Sequence, residues 1–148
     1  MKFNPTPLVE AKADIMAHAE LLLFNMANFV LITNDREPNE IIKQIDCGTV
    51  FCIAGSIVIR YFGIIVDSEG DAHPGNLSGQ SASNDDWIEF ACAVTGMTYD
   101  EGKALFYQWN WEKIAPKFFN IEHTAVNACI VIDEFLRQKG YDPQGKPA

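Results

Sequence analysis

The sequence predicts an all-α fold: an irregular bundle of about five helices around a central apolar helix at 50–62. Three observations lead there. Apolar residues recur at steps of three and four in the first and last parts of the chain, capping signatures punctuate its second half, and Val50 to Phe62 is apolar on nearly every face. With 148 residues, 48% apolar and 21% charged, the chain has ordinary globular composition and is long enough to bury one core. The expectation is a single helical domain over 1–148 with a polar surface loop at 67–84.

From Pro7 to Ile32, Leu8, Ala11, Ile15, Ala19, Leu22, Met26 and Phe29 trace one stripe of a long amphipathic helix, which frays at Thr33-Asn34-Asp35. Pro38 opens a weakly patterned segment, Asn39 to Ile45, with no assigned state. Thr49 is the expected N-cap of the central helix, and Gly63 its left-handed stop. The β-branched residues Ile57, Val58, Ile59, Ile64, Ile65 and Val66 leave a strand open at this point. Asp67 to Asn84, rich in Gly, Ser, Asn and Asp, reads as the surface loop.

Ser83 with Asp86 is a capped start for a helix that runs through Thr95 and closes at Gly96. Thr98-Tyr99-Asp100-Glu101 has the form of a capping box for the next helix, to about Gln108. Asn120 is the expected cap of a last helix with its stripe at Ile121, Ala125, Cys129, Ile132 and Leu136, stopped by Gly140 and Pro143. The tail from Gln144 to Ala148 reads as loose.

Charge and composition narrow the function classes. Twenty Asp and Glu against eleven Lys and Arg leave a net charge of −9, and no basic stripe tracks a phosphate backbone, so direct nucleic-acid binding is not expected. Solvation explains the acidity with less than mimicry of DNA would need. Val50 to Val66 is apolar apart from Ser56 and Arg60, but it falls short of the roughly 20 residues a span needs and carries an Arg near its centre. The expectation is no membrane association. Pro5 and Pro7 stand where the apolar run of a secretory signal would begin, so a cytoplasmic protein with reduced thiols is expected.

Cys47-Gly48-Thr49-Val50-Phe51-Cys52 is the first segment with chemical potential. A thiol in the first turn of a helix feels the positive end of the dipole, so Cys52 with Cys47 is a candidate redox pair or a shared soft-metal site. The spacing of four differs from the two residues of familiar redox and zinc pairs. His18, His73 and His123 are scattered, so no metal site and no cofactor is assigned. Cys92 and Cys129 lie in apolar helical patterns and read as small hydrophobes.

The string Cys47-Gly48-Thr49-x-x-Cys52-Ile53-Ala54-Gly55 resembles a motif of a family of small helical bacterial and phage proteins with no established activity. Ala91 to Gly96, Ala104-Leu105-Phe106 ahead of Trp109, and His123 to Leu136 are similar to later features of that family. At Ser56 the family often carries His or Trp instead. The resemblance implies a helical fold and adds no activity.

The second candidate is the aromatic stretch Tyr107, Trp109, Trp111, Phe118 and Phe119. Trp109 and Trp111 are the candidate binding surface. Two residues apart, they cannot share one helix face, so one is expected to pack away from the other. Asp85-Asp86 and Asp100-Glu101 fall in first turns and suit the helix dipole. No phosphate loop, nucleophile elbow or His-Glu-x-x-His pair occurs, and no catalytic residue is assigned. These readings favour a non-catalytic module that binds protein, with a thiol-redox protein using Cys47 and Cys52, or a structural metal-binding protein, as alternatives.

Overall fold

Helices dominate because most apolar residues fall at helical spacing, and the computed structural model, which describes residues 2–20, 48–66, 72–75 and 84–148, bears out the all-α bundle. Among the described residues five α-helices form: α1 (Thr6–Glu20), α2 (Gly48–Phe62), α3 (Asn84–Thr95), α4 (Tyr99–Phe106) and α5 (Ala125–Gln138). Two short 3-10 segments, Gln108–Lys113 and Pro116–Phe118, join α4 to α5. The predicted continuation of the first helix to Ile32, the segment 39–45, and Ser83 lie outside the described residues.

α2 is the central helix, packed against α1, α3 and α4. Ile53, Ala54, Ile57 and Val58 are buried on its inner side. Its outer side is not apolar: Arg60 donates to both carboxylate oxygens of Asp14 and to Glu10, and Tyr61 donates to Glu10, so α1 clamps the polar end of α2. The helix begins at Gly48, which puts Thr49 inside it rather than at the cap. Gly63 ends it in the left-handed region, φ +74°, as expected of a residue without a Cβ.

Beyond that stop the β-branched run does not continue as coil. Ile64–Val66 (β1) pairs antiparallel with Ala72–Pro74 (β2), in the register Ile64 to Pro74 and Val66 to Ala72. This hairpin corrects the reading of the whole segment 67–84 as loop. Ile64, Ile65 and Val66 favour extended backbone, and a partner strand supplies the hydrogen bonds they need.

In the second half local capping chemistry is decisive. Thr98 accepts from the Glu101 amide (3.1 Å), and Glu101 accepts from the Thr98 amide (2.9 Å), completing the predicted box at the start of α4. That helix ends at Phe106, two residues before the predicted Gln108, because Tyr107 turns extended. The last helix starts later than predicted. Asn120 is not its cap but sits left-handed in a turn at φ 58°, a conformation Asn tolerates, while Thr124 accepts from the Asn127 amide at 3.1 Å. The Ile121–Ala125 spacing mimicked one further helical turn.

The buried residues form one continuous cluster fed by all five helices. Both ends of the chain pack onto it. Phe3 lies between Phe135 and Tyr141, at centroid distances of 5.9 and 5.6 Å, and the Asn4 amide donates to Thr95 O. The tail is not loose: Tyr141 bridges Pro147, the Ala148 amide donates to Gly140 O, and Asp142 accepts from the amides of Gln144 and Lys146. Lys12 ties α1 to this turn and to α5 by donating to Pro143 O and Asp133. Among the described residues no helix is long and apolar enough to cross a membrane.

Candidate functional site

Of the predicted thiol pair, Cys47 lies outside the described residues, and Cys52 is placed only as the fifth residue of α2, beyond its first turn. The dipole effect invoked for it fades within that turn. Cys92 is a core residue and Cys129 packs half-buried against the core: their thiols donate weakly to Thr98 O and Lys12 O, and burial pushes each up to about 11. Such thiols are inert fillers. His73 belongs to β2 rather than to a loop, and the side chain of His18 lies outside the described residues. Among the described residues no three His, Cys, Asp or Glu side chains converge as a metal site would require.

The two tryptophans part company. Trp111 is fully buried, and its indole Nε1 donates to Leu105 O at 2.8 Å. Leu105 is in the last turn of α4, where carbonyls lack helical partners, so this side chain caps the helix from the core. Trp111 therefore does not belong to a binding surface, which corrects half of the predicted pair. Trp109 stands out in solvent, 66% exposed. Local spacing explains why both cannot face inward. The Leu105 carbonyl decides which one does.

Around Trp109 the chain closes a recess of about 220 Å³, lined by Trp109, Glu112, Phe118, Phe119, Asn120, Ile121 and His123. Phe118 is buried beneath it, and Phe119, where the chain turns extended, points out at 65% exposure. Left-handed Asn120 sits in the turn that follows, and Ile121 and His123 complete the lining. The His123 ring meets Trp111 edge-on at 5.4 Å and Trp109 at 6.1 Å, linking the buried indole to the exposed one. Burial holds His123 below its ordinary value, so its neutral form is favoured near pH 7.

Several bonds hold these walls in place. Asn110 Nδ2 donates to Lys103 O at the end of α4, Gln138 Nε2 on α5 donates to Ile114 O, and Asn127 Nδ2 donates to Glu122 O. The site is thus a set of short segments pinned at both ends to helices, which suits a preformed surface better than a free loop would. Glu112, Asn120 and His123 were not singled out as site residues from sequence. For Asn120 and His123 the signal is faint: an Asn that tolerates positive φ between a Phe pair and a His.

A second recess, larger at about 470 Å³ and shallower, lies over Glu89, Cys92, Ala93, Gly96, Met97, Thr98 and Tyr99. The Cys92 thiol in its lining is kept protonated by burial. Comparison with protein-family models, curated proteins and solved structures finds no match to this chain.

Proposed function

We propose that this protein is a non-catalytic protein-interaction module, and that the recess at Trp109 with Phe119 on its rim is the surface its partner meets. The observation that carries the reading is the exposure of two large aromatic side chains, 66% and 65%, on a segment anchored by the buried Trp111. Single exposed apolar residues are ordinary. Aromatic residues grouped on a rigid, concave site are the type that anchors interfaces. Val126 and Ile130, one turn apart on the outward side of α5, are exposed as well and continue the apolar character beyond His123.

His123 is the one histidine whose side chain is described. Its ring neighbours are indoles, and among the described residues no carboxylate orients it as a general base would require. The test is site-specific photocrosslinking in cells. A benzophenone side chain at position 119 is expected to trap a discrete partner that a probe at position 100 misses, and Trp109→Ala should abolish the adduct. Identical adducts from both positions, or adducts indifferent to Trp109→Ala, would refute the assignment of this surface.

A further inference from the structure

We infer that the Trp109 recess takes the guanidinium group of an arginine side chain on the partner protein. The inference rests on the contact-surface reading above and names what that surface recognises. Its first support is size. A recess of about 220 Å³ is smaller than the roughly 300–1,000 Å³ of sites that enclose a small-molecule ligand. It fits one side chain delivered from a larger partner.

The second support is charge. With His123 neutral, Glu112 is the only charged residue in the lining, and among the described residues no hydrogen bond or ion pair engages its exposed carboxylate. The chain carries −9 overall, so a cationic partner is drawn toward it. Two lysines sit nearby in sequence. Lys113 is outside the lining, and Lys117 already stands over the Phe118 ring at 5.4 Å.

The third support is the aromatic surface. Lysines of this chain lie over Tyr99, Phe118 and Phe3, but among the described residues none lies over Trp109 or Phe119. Trp is the best of the rings for a cation, and a planar guanidinium can stack on an indole while its fork donates to a carboxylate. A lysine head is a point charge that uses only one of these features at a time. The combination of an exposed indole and a carboxylate with no partner among the described residues therefore selects arginine.

The experiment uses the whole chain with nitrogen-15-labelled indoles. It follows the Trp109 N–H signal against three capped pentapeptides, Gly-Ser-X-Ser-Gly, in which X is arginine, citrulline or norleucine. The arginine peptide is expected to bind roughly five- to tenfold more tightly than the citrulline peptide. Glu112→Gln, an exposed substitution that should leave the fold intact, is expected to weaken the arginine peptide part of the way toward the citrulline level, leaving the share that stacking on the Trp109 indole supplies. Equal binding of the arginine and norleucine peptides at Trp109 would overturn the cationic assignment while the apolar contact surface stood. No response of Trp109 to any peptide would also overturn it, and the contact surface would then be judged by the crosslinking at position 119 alone.

Discussion

Replacing Trp111 by Phe tests how the site is built, because the substitution keeps an aromatic ring in the core and removes the indole N–H that satisfies Leu105 O. A buried carbonyl left without its donor costs about 1–3 kcal/mol. The smaller ring leaves a void, and a share of the roughly 3–5 kcal/mol seen for full truncation of such residues adds about 1 kcal/mol more. The expected loss is therefore about 2–4 kcal/mol. At about 2–4 °C per kcal/mol for a chain near 150 residues, the midpoint should fall by roughly 4–16 °C. Urea and thermal unfolding followed by far-ultraviolet circular dichroism measures this without relying on tryptophan emission. Trp109→Phe is the matched control, expected within about 0.5 kcal/mol of the parent because the ring stands in solvent. A Trp111→Phe cost below about 1 kcal/mol, or a larger cost for Trp109→Phe, would refute the division of labour between the two indoles.

Other expectations concern the helices that carry the site. A Cβ at Gly102 would lie 2.5 Å from Cys92 Sγ and 3.2 Å from Ile88 Cγ2, so Gly102→Ala should cost about 1–3 kcal/mol. Adding Cys92→Ala should recover part of that cost, and strict additivity in denaturation midpoints would contradict the contact. Thr98→Ala should cost about 1 kcal/mol through loss of the α4 cap, read from the same unfolding curves. Although partial burial opposes it, the bonds from Lys139 and Thr98 hold the Glu101 carboxyl below its ordinary 4.5. Its stabilisation is thus full above pH 4.5 and is lost as pH falls through the lower folded value, so Glu101→Gln should flatten the acid decline of Tm. An unchanged decline would contradict the linkage. With Cys92 and Cys129 pushed up to about 11, the thiolate fraction at pH 8 is on the order of one in a thousand. Alkylation of the folded protein should leave both intact for hours. Equally slow reaction at Cys47 and Cys52 would remove the redox alternative raised by the sequence.

What could be read in advance was what local chemistry decides. The box at Thr98 and Glu101 and the stops at Gly63 and Gly96 each depend on neighbours within a few residues, and each is in place. The central position of α2 followed from its apolar composition. Features set by distant partners were harder to read. Three strand residues at Ile64 became legible only with Ala72–Pro74 beside them, and the tail is ordered by a bridge from Tyr141 to Pro147. Asn120 has cap chemistry, but its left-handed backbone serves the turn, and Thr124 takes the cap. The site was half legible: spacing showed that Trp109 and Trp111 must diverge, while the direction of each depends on Leu105 O and on His123 returning from beyond Asn120. Glu112 carried no pattern at all, since an exposed carboxylate gains meaning only beside the indole it accompanies.

Trp109 stands in water while Trp111 is fully buried. Paramagnetic relaxation by a soluble, uncharged gadolinium chelate, read at the three indole N–H signals of the intact chain, measures that difference directly. Strong broadening of Trp109, with Trp87 and Trp111 nearly untouched, is the predicted result. Protection of Trp109 equal to that of Trp111 would mean that the aromatic face is covered within the free protein, and would contradict its role as an open contact surface.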